Sequence, residues 1–277
     1  MVREGTEAMK WCRVEAPDGA SYAELDGEHV ELLDAAPFAD CRRTGRRYRL
    51  DEMKLLPPVI PANFYAAGLN FGSHVEWAKQ YHGMTHLKIP DQADIGYRSP
   101  SALIGSGADI VVPLDSSGPV EYEGELVAII GRRAKYLAEN DALECVAGYT
   151  LGNDLSERAW QKSDRTLWRA KNCDTFKPMG PVVVSGIDPM AQTIGVRING
   201  KTVSEYSTSA MLFSVAHWVS RISRYTTLYP GDVLWLGCDG VTIPALQPGD
   251  LVEVVNDAIG VLANRVVRET EQREQLE

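Results

Sequence analysis

The stretch Val120-Glu121-Tyr122-Glu123-Gly124-Glu125-Leu126-Val127-Ala128-Ile129-Ile130-Gly131 decides how this chain folds and what it holds. Strand side chains alternate between faces, so Glu121, Glu123 and Glu125 project from one side. From Leu126 to Ile130 both faces are apolar, which marks a strand running into a core. Same-face neighbours sit roughly 7 Å apart, and at an effective dielectric of about 20 two carboxylates at that spacing repel by about 2 kcal/mol. Acids gathered beside a buried segment need either bulk water or a cation. A divalent ion held by oxygen ligands is the favoured reading.

Outward from this strand, the chain after residue 100 is strand-dense, with runs at 108–113, 147–153, 181–185, 194–199, 232–236, 250–255 and 259–266. Helical stretches are few: 155–162, and 209–223 around Met211-Leu212-Phe213, whose apolar residues read as core. Turns fall at Asn199-Gly200, Pro230-Gly231-Asp232 and Pro248-Gly249-Asp250. Near the N-terminus, short alternating strands over 11–35 break at Asp18-Gly19 and Asp26-Gly27, both hairpin signals. The basic run Arg42-Arg43-Thr44-Gly45-Arg46-Arg47 and then Pro57-Pro58 separate this unit from the rest. The expected organisation is a small N-terminal β domain, 1–58, and a larger domain, 59–277. Many short strands with few helices exclude a doubly wound α/β sheet. Residues 72–96 are polar, rich in His and Gly and without a strong period, as lids and binding loops are.

With 277 residues, 44% of them hydrophobic, the chain can bury a sizeable core. A formal charge of −10 argues against nucleic acid as a partner. No apolar run reaches the ~18 residues that a membrane helix needs, and the first residues lack the basic-then-apolar order of a signal peptide. The five cysteines (Cys12, Cys41, Cys145, Cys173, Cys238) are widely spaced with no CxxC pair. They read as reduced thiols of a cytoplasmic protein.

Two further segments carry chemistry. In Gly148-Tyr149-Thr150-Leu151-Gly152-Asn153-Asp154-Leu155-Ser156-Glu157-Arg158-Ala159-Trp160-Gln161 a strand ends near Asn153 and a helix begins. Asp154 fits a helix N-cap with Glu157 completing a capping box. A carboxylate in that position can also bind metal with its second oxygen. Arg158 and Gln161, three apart on one helical face, suit a planar carboxylate or simply face solvent. Lys171-Asn172-Cys173-Asp174-Thr175-Phe176-Lys177-Pro178-Met179-Gly180-Pro181 mixes charge with turn residues before the apolar Val182-Val183-Val184, and alone would pass for a surface turn.

Taken together, Tyr122-Glu123-Gly124-Glu125-Leu126, Asn153-Asp154 through Arg158 and Gln161, and Lys171 through Pro181 resemble the fumarylacetoacetate hydrolase family. Gly68-Leu69-Asn70-Phe71-Gly72-Ser73-His74 resembles the family's entry to a mobile lid. The resemblance covers 60–266. It implies an α+β fold dominated by a mixed β-sandwich or roll with few helices, and a homodimer. It implies that Glu123, Glu125 and Asp154 hold one Mg²⁺ or Mn²⁺, in keeping with a hard, all-oxygen ligand set. A Ca²⁺ ion serving stability alone is the other metal reading. Lys171 is then catalytic at the edge between metal and substrate, and Arg98, Arg158 and Gln161 contact the substrate. Glu121 lies outside the pattern and reads as a solvated strand start. By the same resemblance His74 is the catalytic histidine, able to take a proton near neutral pH. His82 and His86 read as solvated loop residues.

Three positions depart from the family pattern. The acid after the histidine is Glu76, at +2, so a His74–Glu76 dyad requires a non-helical turn. Leu236-Gly237-Cys238-Asp239-Gly240 stands where a threonine-bearing turn is usual, which leaves Cys238 or Thr242 to replace the substrate-binding hydroxyl. Ala159 stands where many relatives have an acid. The implied reaction is metal-dependent hydrolysis of a C–C bond in an acylpyruvate-like or 2,4-diketo acid, through an enolate. Isomerisation, tautomerisation or decarboxylation of an unsaturated 2-oxo diacid, as in aromatic-compound catabolism, passes through the same enolate. A non-catalytic metal or ligand-binding protein is the reading from a different class.

Overall fold

The strands fall in chain order as β1 Lys10–Ala16, β2 Gly19–Asp26, β3 His29–Leu33, β4 Arg43–Arg49, β5 Lys54–Leu56, β6 Phe64–Ala67 and β7 Ile95–Tyr97. They continue as β8 Leu103–Ile104, β9 Ile110–Val112, β10 Val120–Glu121, β11 Gly124–Ile130, β12 Val146–Asn153, β13 Ser156–Glu157 and β14 Lys177–Val184. The last are β15 Thr193–Ile198, β16 Lys201–Ser207, β17 Val233–Trp235, β18 Leu251–Asn256 and β19 Gly260–Arg268. Among the described residues three α-helices join them: α1 Gly72–Tyr81, α2 Arg158–Gln161 and α3 Val215–Tyr225. The computed structural model describes residues 9–81 and 83–270; His82 lies outside the described residues.

A twelve-stranded sheet runs β4-β3-β2-β1-β14-β12-β11-β17-β6-β7, with β5 on β1 and β8 on β14. A five-stranded sheet, β16-β15-β18-β19-β9, packs on it. Most ladders are antiparallel, but β17 with β6, β14 with β8 and β19 with β9 are parallel, so the sandwich is mixed. The α+β sandwich expected from the sequence is the fold observed. The N-terminal strands join the main sheet through Lys10 opposite Val184 and Trp11 opposite Val183.

The unbroken apolar run of β11 follows from its place. Leu126, Ala128 and Ile130 face a core shared with Ile194, Val254 and Leu262 of the second sheet. Val127 and Ile129 face the opposite side, with Trp11, Phe64 and Trp235. A strand buried on both faces has no polar period. Helix α3 lays Val215, Trp218, Val219 and Ile222 into the first of these cores, as its apolar face requires. Asn199 and Gly200 take φ of 52° and 79°, the paired positive values that a tight hairpin between β15 and β16 demands.

Four expectations need correction. The 120–131 stretch is not one strand: β10 pairs with β13, and the ladder breaks at Tyr122-Glu123 before β11 pairs with β12. The basic run 42–47 is no separator but enters β4, an edge strand whose arginines pair with Glu24, Asp18 and Asp26 across the small sheet. Residues 72–81 of the aperiodic segment form α1, a weakly amphipathic helix burying only Val75 and Ala78. Asp154 does not cap α2; Glu157 does, accepting the Trp160 N–H.

Candidate metal centre

The break between β10 and β11 builds the site. There the Glu123 N–H donates to Asn153 Oδ1 at 3.0 Å, and the Asp154 N–H donates to the Glu123 carbonyl at 2.9 Å. The end of β12 is thereby locked to the start of β11. Glu123, Glu125 and Asp154 converge so that one carboxylate oxygen from each lies within 4.8 Å of the others. At an effective dielectric of about 20, each such pair of charges repels by about 3 kcal/mol.

Four basic residues answer these acids. Arg98 grips Asp154 with Nη2 at 2.8 Å and Nε at 3.2 Å. Lys171 Nζ bridges Glu123 Oε2 at 2.7 Å and Asp154 Oδ2 at 2.8 Å. Arg158 donates to Glu121 from Nε at 2.7 Å and to Glu123 from Nη2 at 2.8 Å. Lys177 Nζ lies 2.7 Å from Asp154 Oδ1. All eight of these charged residues, Glu121 included, are buried.

Their electrostatics differ by position. Burial alone would raise Glu123, but Lys171 and Arg158 outweigh it and hold the carboxyl at about 2. Asp154 is likewise held well below the usual carboxylate range, with Arg98, Lys171 and Lys177 overcoming burial. Lys177 is itself pushed down to about 8 by burial, because Lys171 and Arg98 face it as well as Asp154. Glu125 stands apart. It accepts one N–H, from Gly237 at 2.8 Å, and forms no ion pair among the described residues. Burial first, then the charges of Asp154 and Glu123, push it up to about 8. A buried carboxylate short of a cation, beside two others within ligand distance, fits a divalent ion with oxygen ligands.

His74, on the first turn of α1, is half-buried. Its Nδ1 lies 3.2 Å from the Cys238 carbonyl, an acceptor only, so this bond places the proton on Nδ1 and leaves Nε2 as the base. Burial lowers its basicity, and Arg158 and Lys171 lower it further while Glu123 opposes them. Gly240, at φ 90°, lets the loop after β17 pass under the histidine: a Cβ there would sit 2.6 Å from His74 Cα. At the root of α1, Asn70 Nδ2 donates to Leu236 O at 3.0 Å.

Several expected site residues sit elsewhere than expected. Glu76 is on the solvent side of α1, 70% exposed and paired with Lys79 at 2.8 Å, because residues two apart on a helix face opposite ways. It does not join His74. Glu121 is not solvated: it is buried and accepts from Arg158 and from Thr242 Oγ1. Thr242 is consequently spent on Glu121. Gln161 accepts from Arg158 Nη1 at 2.8 Å, so in this structure Arg158 and Gln161 hold each other. Cys238 is buried with Sγ 4.0 Å from His74 Nδ1, and burial keeps its thiol protonated.

Residues 63–267 match the family model described as fumarylacetoacetate (FAA) hydrolase C-terminal. The chain belongs to the fumarylacetoacetate hydrolase family. Residues 9–58 match a second model, described as Rv2993c-like, N-terminal. Among solved structures, the chain resembles 5-carboxymethyl-2-hydroxymuconate delta-isomerase from Mycobacterium smegmatis at 33% identity and TM-score 0.84, over 94% of this chain and all of that one. It resembles 2-hydroxyhepta-2,4-diene-1,7-dioate isomerase from Mycobacterium marinum at 32% identity and TM-score 0.84, over 95% of this chain and 100% of the other. It is also 32% identical to human mitochondrial oxaloacetate tautomerase FAHD2A, over 78% of this chain and 70% of that protein. No helix among the described residues is long and apolar enough to cross a membrane.

In this family member, motif reasoning missed Lys177, Gly240 and the buried state of Glu121. Lys177 carried a signal: it is a lone charge at the head of KPMGPVVV, a strand otherwise free of charge. A lysine there needs acceptors inside the protein.

Proposed function

We propose that this protein shifts a proton between the carbon and oxygen ends of a 2-oxo diacid, as a keto–enol tautomerase or double-bond isomerase. The observation that carries the reading is the setting of His74. Its Nδ1 is held by a backbone carbonyl, and Glu76 faces solvent. Pulling a proton from water for C–C hydrolysis asks for a strong base whose cation is stabilised. Burial and two neighbouring cations disfavour that cation at His74. Tautomerisation activates no water and breaks no C–C bond, so His74 has only to carry a proton between the two ends of one enolate whose charge Lys171 can steady.

In this mechanism His74 Nε2 accepts the proton from the carbon adjacent to the 2-oxo group, the electron pair of that C–H bond forms the C=C bond, and the carbonyl π pair moves to the oxo oxygen. The Lys171 ammonium steadies the charge that develops there. Return of the proton from His74 Nε2 to the oxygen completes the enol and restores the neutral imidazole, so composition is unchanged and no co-reactant is consumed. Glu123, Glu125 and Asp154 would hold the divalent ion, Mg²⁺ or Mn²⁺, whose Lewis acidity polarises the substrate oxygens. Charge supports a diacid. Four acids face four bases, so an ion of charge +2 is balanced by a substrate of charge −2. The relatives named as isomerases and a tautomerase support this choice.

The test follows enol absorbance with oxaloacetate, with and without Mg²⁺ or Mn²⁺, alongside acylpyruvates as cleavage substrates. Metal-dependent enol–keto interconversion above the uncatalysed rate, lost in His74→Ala, is the expected result. Acylpyruvate cleavage without tautomerisation would replace the proposal with hydrolysis. Metal binding with no turnover across the panel would leave a binding protein.

A further inference from the structure

Among the described residues Lys177 is the most deeply buried base, and no step of the proposed reaction uses it. Its Nζ donates to Leu155 O at 3.0 Å and to Phe176 O at 2.8 Å, and pairs with Asp154 Oδ1 at 2.7 Å. An ammonium has three N–H groups, and these three acceptors use them all. Lys177 therefore has nothing left to offer a substrate. Lys171 differs, bridging two different carboxylates from the other side of Asp154.

We propose that Lys177 is a resident counter-ion of the metal centre, holding Asp154 in its ligating position when no ion is bound and weakening the grip on the ion once it binds. The inference deepens the function proposed above and rests on its metal-centre reading. Without Lys177, Asp154 Oδ1 would lose its shortest contact with a positive charge, 2.7 Å, and the Leu155 and Phe176 carbonyls would lose their donor. A buried carboxylate and two carbonyls are then left short of partners in the metal-free protein, a state that buried polar groups avoid. With the ion in place, the same ammonium is a like charge touching one of its ligands, and like charges in low dielectric repel strongly. Lys177 thus trades metal affinity for a site that is folded before metal arrives.

The two halves of the proposal carry opposite signs, which separates them from a merely structural role. Lys177→Met keeps the length of the side chain and removes its charge. The test is Mn²⁺ titration by calorimetry on the full chain, with thermal unfolding in chelator and in saturating Mn²⁺. The variant is expected to unfold at a lower temperature than wild type in chelator and to recover in Mn²⁺. It is also expected to bind Mn²⁺ at least tenfold more tightly. A variant that folds only with Mn²⁺ present supports the proposal equally. Equal or weaker Mn²⁺ binding overturns it, as does a variant unfolded with and without the ion. If wild type itself binds no Mn²⁺, the metal-centre reading falls and this inference with it; if wild type binds and only the tighter binding fails, the counter-ion role alone is lost.

Discussion

Replacing Glu125 with Gln should make the metal-free protein more stable, by an amount that grows with pH. Glutamine keeps an oxygen for the Gly237 N–H and removes the charge that burial, Asp154 and Glu123 oppose. In the folded protein this carboxyl is pushed from 4.5 up to about 8. Below the unfolded value both states carry the proton and the charge costs nothing. Between the two values the folded state keeps a proton that the unfolded state releases, so wild-type stability falls as pH rises. Above the folded value the full cost is present. At ~1.4 kcal/mol per unit, the span corresponds to about 5 kcal/mol as a ceiling at high pH and about 3 kcal/mol near pH 7. For a chain of this size ~1 kcal/mol moves the midpoint by about 2–4 °C, which gives a gap on the order of 10 °C. The assay is thermal unfolding of both proteins in chelator across about pH 5 to 9. The curves should converge in acid and diverge in base. Adding Mn²⁺ should reverse the order, because binding stabilises only a protein that keeps its ligands. Parallel pH curves in chelator would show that Glu125 is not strained in the metal-free site, and would remove the main argument that the acids await a cation.

Other outcomes follow from the same geometry. Glu76→Gln should leave turnover within about twofold of wild type, since an exposed pair of this kind contributes about 0–1 kcal/mol and the side chain faces away from His74; a hundredfold loss would restore the dyad. Glu121→Gln strands one edge of Arg158, and breaking a buried ion pair costs about 3–5 kcal/mol. Urea unfolding should show that loss, with turnover falling as Arg158 ceases to steady Glu123. Gly240→Ala forces a Cβ against the His74 backbone at a positive φ. Overpacking of this sort costs about 1–3 kcal/mol, and the turnover number should drop more than Mn²⁺ affinity, because the proposed metal ligands lie on other segments.

Which features were legible in the sequence depends on how local their causes are. Glu123 and Glu125 are two residues apart, and Asp154 sits at the end of the neighbouring strand, opposite the segment it must meet. The family resemblance names that set, whereas alternation alone groups Glu121, Glu123 and Glu125. The mixed sandwich comes from the family resemblance; the apolar run of β11 on its own says only that this strand enters a core, covered on both faces. Glu121 was misread because the family pattern leaves it out and a strand start reads as solvated, whereas β10 pairs with β13 and brings Arg158 onto it. Helix α1 was missed because it buries so little of itself that no apolar stripe is written into it.

Lys177 shows the boundary most clearly. Its position in an apolar strand is local, but its acceptors Leu155 O and Asp154 Oδ1 arrive from a segment more than twenty residues earlier, brought alongside only when the sheet has closed. Sequence can therefore mark a buried charge as needing a partner without naming it. The proposed metal ligands pose the converse problem: the family resemblance names them, while their compensation is supplied by Arg98, Arg158, Lys171 and Lys177 from four separate places in the chain. The balance of charge in this centre, on which the proposed pairing of a divalent ion with a dianion rests, is accordingly a property of the tertiary structure and of no single motif.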